Sequence, residues 1–207
     1  MVEVPYKYSI EGKKNNHTLL VKINGDTLEI RQLIVVSDDH EVFKTEGMHY
    51  VEFRSDINRL REYAMFIVKD APEHYREANL LEQQISELIK NAIRHGNKND
   101  VNKKVKVWYS FEKKVKIIVQ DEGEGFKDID DWNKFNLART IAIYKQDFEN
   151  IMNFISWRGR NENEMDGGNA LFAAIEYWNG GIHYNEKGNK VCALKYFPDN
   201  PDYEKYK

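Results

Sequence analysis

Glu87, Asn91 and His95 recur at every fourth position within the stretch Ser86-Glu-Leu-Ile-Lys-Asn-Ala-Ile-Arg-His-Gly96. On an α-helix that spacing lines them up as a polar row beside an apolar stripe. An amide oxygen is a hard, neutral ligand suited to Mg2+. A carboxylate one turn away can take a proton from an attacking hydroxyl or water. The solvated face of an ordinary amphipathic helix has the same pattern. A second stretch, Ile117-Ile-Val-Gln-Asp121-Glu-Gly123-Glu-Gly125-Phe126, runs an apolar strand into an acid and two alternate glycines. Glycine permits close backbone approach and positive φ, and an Asp held at a strand end can accept a hydrogen bond from an exocyclic amine such as adenine carries. A plain acidic turn after a strand reads the same way. The third stretch, Asp166-Gly167-Gly168-Asn169-Ala170-Leu171, is a glycine turn into a helix, whose free N–H groups suit phosphate. Each pattern is common when it stands alone.

Elements of definite type must hold these stretches. Thr18–Ile23 and Thr27–Val36 are rich in β-branched and aliphatic residues, and Asn24-Gly25-Asp26 between them is a hairpin turn signal. Glu41–Lys44 and Met48–Phe53 read as two further short strands. The period then changes. Ser55-Asp56 is an N-cap signal for a helix with Ile57, Leu60, Ala64, Ile67 and Val68 on its apolar face, stopped by Pro72. A second helix is predicted from Arg76 to His95, carrying Leu81, Ile85, Leu88, Ile89 and Ala92 as its stripe, with Gly96 and Asn97 as its stop. Val105–Phe111 and Val115–Val119 alternate like a β-hairpin. Residues 127–166 are polar-aromatic and partly helical over Trp132–Trp157, ending in the polar run Arg158–Asp166. A short helix over Ala170–Trp178 and a last hairpin of Ile182–Tyr184 with Val191–Phe197 follow, and the charged tail after Pro198 is expected to fray. The order predicts an α+β, two-layer sandwich: a mixed, mostly antiparallel sheet with helices on one face.

Composition narrows the function classes. The 207 residues suit one domain with an elaborated end. Lys+Arg 31 against Asp+Glu 34 gives a net charge of −3, which argues against a general nucleic-acid binder. Cys192 is the single cysteine, so neither an intramolecular disulfide nor a cysteine-rich zinc site can form. Its place in a strand alternation reads as a small buried side chain. The longest aliphatic run, Leu33–Val36, falls far short of the roughly 20 residues of a spanning helix. With no signal-peptide pattern at the start, the expectation is a cytoplasmic protein without a membrane anchor. Trp132, Trp157, Trp178 and Tyr177 read as packing residues, and the Lys103-Lys104 and Lys113-Lys114 pairs as protectors of strand edges or turns.

The three stretches occur in one order, about thirty and then about forty-five residues apart, and in that combination they resemble the ATP-binding domain shared by gyrase, heat-shock chaperone ATPases, sensor histidine kinases and MutL. The first is similar to that family's N box, the second to its G1 box and the third to its G2 box. Glu-Leu-Ile-Lys-Asn-Ala-Ile-Arg-His-Gly most resembles the anti-sigma-factor serine/threonine kinases. The resemblance covers residues 50–197 and implies a histidine-kinase-like ATPase fold over residues 51–198 with a lid insert at about 127–166; outside it lie a β-rich extension over 1–50, open to extending the sheet or binding a partner, and a tail over 199–207. It implies ATP and Mg2+ as ligands, Glu87 as catalytic base, Asn91 as Mg2+ ligand and Asp121 as acceptor for the adenine amino group. By the same resemblance Gly123 and Gly125 let the loop close over base and ribose, Gly167 and Gly168 line the phosphates, and His95 sits at the pocket edge. Arg158 or Arg160 would reach the phosphates from the lid. Two departures stand out: Gly168-Asn169-Ala170 has a methyl where the second G2 glycine belongs, and Asn189-Lys190-Val191 lacks the threonine often found near the adenine.

The expected activity is transfer of the ATP γ-phosphate to a serine of a small antagonist protein, with that antagonist or a sigma-type regulator as partner. Neither nucleic acid nor membrane is an expected partner, and a homodimer is left open. No His-bearing dimerisation pair and no transducer domain accompany the motifs, so a complete sensor kinase or a gyrase-type clamp is not expected. The alternative is a degenerate module that sequesters a regulatory partner without chemistry, which the altered G2 box favours and the intact Glu87 and Asn91 oppose.

Overall fold

The computed structural model describes residues 2–76, 79–157 and 169–207. Its architecture is α+β with a mixed sheet. The chain groups into two compact units: Met1–Leu33 with Asp128–Glu176, and Ile34–Lys127 with Tyr177–Lys207. Among the described residues no helix is long and apolar enough to cross a membrane.

The first unit is built on a three-stranded antiparallel meander, β1 (Ser9–Asn15), β2 (Thr18–Ile23) and β3 (Asp26–Arg31). Asn24 (φ 51°) and Gly25 (φ 100°) take the left-handed conformations that a two-residue hairpin turn of matching twist requires. Leu19, Val21, Ile23 and Ile30 bury themselves against Leu137 and Ile141 of α3 (Ile129–Tyr144). Other sides of α3 stack Trp132 and Phe135 on Phe172 of α5 (Asn169–Tyr177), so the helix carries buried apolar residues on more than one side.

Two sequence expectations change here. The predicted strand Thr27–Val36 breaks at Gln32, because the Asn133 side chain takes both backbone groups of Leu33 (2.8 and 2.9 Å) and Gln32 N–H turns to His17 O (2.8 Å). The predicted helix Trp132–Trp157 also stops early. Gln146 is left-handed (φ 53°), and Asp147 caps a separate short helix, α4 (Phe148–Ile151).

The second unit carries a six-stranded sheet. β4 (Leu33–Val36), β5 (His49–Arg54), β6 (Lys104–Ser110), β7 (Val115–Gln120), β8 (Ile182–Asn185) and β9 (Lys190–Lys195) lie in the order β4-β8-β9-β7-β6-β5. The strand pairs from β8 to β5 in that order are antiparallel. One sheet face presents Val105, Val107, Tyr109, Val115, Ile117, Val119 and Ala193, all buried. It receives α1 (Leu60–Val68) and α2 (Leu80–Asn91). Phe53 stacks on Tyr63 (centroids 4.3 Å), Tyr109 Oη donates to Asp70 Oδ2 (2.8 Å), and α2 packs beside α1 with Leu81, Ile85, Leu88 and Ile89 inward.

The other face is covered by short pieces. Ile118, Cys192 and Leu194 are roofed by Phe43, Val42 and Met48 and by Tyr203 and Tyr206 of α6 (Tyr203–Tyr206). The tail expected to fray is thereby tied down, with Tyr206 stacked on Tyr196 (4.4 Å). The strand expected over Glu41–Lys44 is a 3-10 turn, Glu41–Phe43, capped by His40 and turned inward by Phe43. The helix expected from Arg76 starts later, at Leu80: Asn79 is left-handed (φ 70°), and the Arg76 guanidinium folds back onto the carbonyls of Lys69 and Ala71.

Candidate functional site

α2 holds Glu87 and Asn91 because its opposite stripe is anchored: Ile85 and Ile89 are fully buried, so the row four residues apart turns to the half-buried flank. Glu87 is ion-paired on its own helix. Lys90 Nζ donates to Oε1 (2.7 Å) and stands 2.6 Å from the solvent-shielded Oε2. Asn91 is half-buried, and its side-chain amide makes no hydrogen bond to any described residue.

Past Asn91 the helix widens into a π turn, Ala92–Gly96, closed by Asn97 N–H on Ala92 O (2.8 Å). His95 lies in that turn and is exposed. The wider turn carries more than four residues, so His95 leaves the strict line of Glu87 and Asn91. Such turns occur often at functional sites.

The π turn brings the first two motifs together. A Cβ on Gly96 would lie 2.2 Å from Asp121 Cγ, and one on Gly123 would lie 2.2 Å from Gly96 O. Only hydrogen at both positions lets the helix end rest on the strand-end acid. This role differs from the one the sequence suggests for Gly96. It does not take the left-handed stop conformation, which falls instead on Lys98 (φ 56°) and Asn99 (φ 58°).

Asp121 leaves β7 with its backbone N–H on Asn189 O (3.0 Å), its carbonyl accepting from Asn189 Nδ2 (2.9 Å), and Oδ1 accepting from Gly123 N–H (2.7 Å). Burial raises the pKa of its carboxyl, against the opposing pulls of the Gly123 N–H and of the Lys187 and Lys103 ammonium groups. Tyr184 is raised by burial and then by the Asp121 charge. Gly125 has φ +87°, and a Cβ there would meet Lys187 O at 2.0 Å, so this loop passes tightly over the β8–β9 turn. Phe126 N–H closes it on Gly188 O (2.9 Å).

The second unit therefore gathers Asn91, His95, Asp121, Gly123 and Gly125 along one continuous run from the α2 end to the β7 corner, with Glu87 one turn earlier. Arg158, Arg160, Gly167 and Gly168 lie outside the described residues. Sequence reasoning missed Asn97, Asn189 and Tyr184. Asn97 was legible only as a helix stop, because partners 25 residues away in the chain leave no local pattern. A shallow groove lined by Lys44, Lys113, Lys114 and Lys116 with Glu46 and Glu112 opens beside the β6–β7 turn. That is the end of β7 opposite Asp121, and it includes none of the motif residues.

Among the described residues, no three His, Cys, Asp or Glu side chains form a metal cage. Asn91 offers one neutral amide oxygen that no described residue engages, and such sparse protein ligation suits an ion that keeps water and substrate phosphates. No protein-family model matches the chain, and no curated protein matches it.

Proposed function

We propose that the chain is an ATP-binding serine/threonine protein kinase of the anti-sigma type, acting on a small regulatory protein. The observation that carries this reading is the contact of Gly96 with Asp121, where a methyl would stand 2.2 Å from the carboxylate carbon. It joins a helix carrying an acid and an amide that no described residue engages to a strand-end acid suited to an exocyclic amine.

In this reading Asp121 accepts from the adenine amino group, and the Gly123 and Gly125 loop gives the base a floor without side chains. Asn91 would hold Mg2+, which when bound offsets the phosphate charge. Glu87 takes the proton of the substrate serine as its oxygen bonds to the γ-phosphorus; the bond from that phosphorus to the bridging oxygen breaks, and ADP leaves. Lys90 keeps the Glu87 carboxylate ion-paired until a hydroxyl arrives, so the pair must open for transfer.

That ion pair is also what favours the second reading, a nucleotide-dependent or degenerate module that sequesters a regulator without chemistry. The two separate in one experiment. The protein is incubated with Mg-ATP and candidate small regulators, and phosphate is sought by mass spectrometry. The kinase reading expects phosphoserine or phosphothreonine on a regulator, lost by at least about a hundredfold in Glu87→Ala while ATP binding stays within about twofold. No transfer from the unsubstituted chain to a regulator that it binds would leave the sequestering module standing instead.

A further inference from the structure

Asn97 is fully buried and uses every hydrogen-bonding group of its amide. Its Nδ2 donates to Ser55 Oγ (2.7 Å) and to Lys104 O (2.9 Å), and its Oδ1 accepts from Glu122 N–H (2.7 Å). Ser55 Oγ in turn donates to Lys103 O (3.1 Å). The amide thus ties the end of β5 and the start of β6 to the corner after β7. On the other side of that corner, the buried Asn189 donates to the Asp121 carbonyl (2.9 Å). The two groups held, the C=O of Asp121 and the N–H of Glu122, belong to a single peptide unit. Because a peptide is planar, fixing both of its polar groups fixes the plane and restrains ψ of Asp121.

We infer that Asn97 and Asn189 are positioning residues that clamp the Asp121–Glu122 peptide and so aim the Asp121 carboxylate at an amino-bearing purine. Neither touches the base; each acts through the peptide. The inference rests on the adenine reading of this corner and assigns its base selectivity. A carboxylate free to swing would still offer negative charge, but it would not discriminate between an exocyclic donor and an exocyclic acceptor.

The test compares ATP with inosine triphosphate, which carries a carbonyl where adenine carries the amine. Binding of each is measured by calorimetry on the whole chain with Mg2+. The unsubstituted protein is expected to favour ATP by at least about tenfold. Asn97→Ala is expected to bring that ratio to within about threefold of unity, chiefly by weakening ATP. Asn189→Ala acts on the other edge of the same plane and is expected to do likewise, so the test survives if Asn97→Ala does not fold. Equal loss for both nucleotides, with the ratio kept in the folded variants, would mean a merely structural role and would overturn the clamp alone. An unsubstituted protein that binds neither nucleotide, or both equally, would overturn the adenine reading and the clamp with it.

Discussion

At Gly96 a single methyl group decides whether the candidate site can exist. An added Cβ falls 2.2 Å from Asp121 Cγ and 2.5 Å from both carboxylate oxygens, so either the acid or the helix end must move. Gly96→Ala is expected to cost about 1–3 kcal/mol of stability and to weaken ATP binding, as read by denaturant melts and calorimetry on the same variant. Retained stability and affinity would show that the contact is slack. The acid, the amide and the glycines were legible as residue types at set spacings, but their partners were not. Asp121 finds Asn189 across β7–β9 pairing, and Glu122 finds Asn97 across two strands and a turn. Such contacts are products of topology, and a local window of sequence holds no trace of them.

Helices and hairpins were legible wherever one period ran unbroken. α1, α2 and the β6–β7 hairpin each keep an apolar stripe or an alternation with one face buried, and each forms at the place its pattern marks, α1 and α2 starting later than expected. The misreadings fall where a side chain captures backbone, as Asn133 does at Leu33, or where a non-glycine residue turns left-handed, as Asn79 and Gln146 do. One tie between elements has a clear acid–base signature. Burial and then the hydrogen bond to Asp70 push the Tyr109 hydroxyl up to about 12, from an ordinary value near 10. The folded chain therefore holds this proton longer than the unfolded chain does. Its contribution to stability is complete below about pH 10 and is lost as the pH climbs through about 12. Tyr109→Phe is expected to lower stability by about 1 kcal/mol near neutrality and to flatten the decline over that alkaline window. A pH series of urea melts reads both, and an unchanged alkaline slope would argue that the Tyr109–Asp70 bond does not tie β6 to the turn after α1.

For the molecule as a whole, the class, α+β, was legible in the order of periods, but the grouping of its parts was not. Residues 1–50 were legible as β-rich, yet nothing local announces that residues 1–33 share a unit with 128–176, because that kinship lies in Leu19, Val21 and Ile23 meeting Leu137 and Ile141. The charged tail illustrates the same limit: Tyr203 and Tyr206 outweigh its polarity by roofing the second sheet face. Cys192 beneath that roof reports on it. Burial pushes its thiol up to about 12, and the side chain is fully enclosed. A thiol reagent at about pH 8 is expected to leave the native chain unlabelled and to label it fully in concentrated guanidinium. Rapid native labelling would mean that the tail does not cover the sheet.

An adenine nucleotide resting at the corner where Gly96 meets Asp121 is tested most directly by calorimetric titration of Mg-ATP into the unsubstituted protein and into Asp121→Asn. The expected result is saturable one-to-one binding that weakens by about tenfold or more when the acceptor-only carboxylate becomes an amide, with the fold intact by circular dichroism. Equal affinity in the two proteins, or no binding heat from the unsubstituted chain, would contradict it.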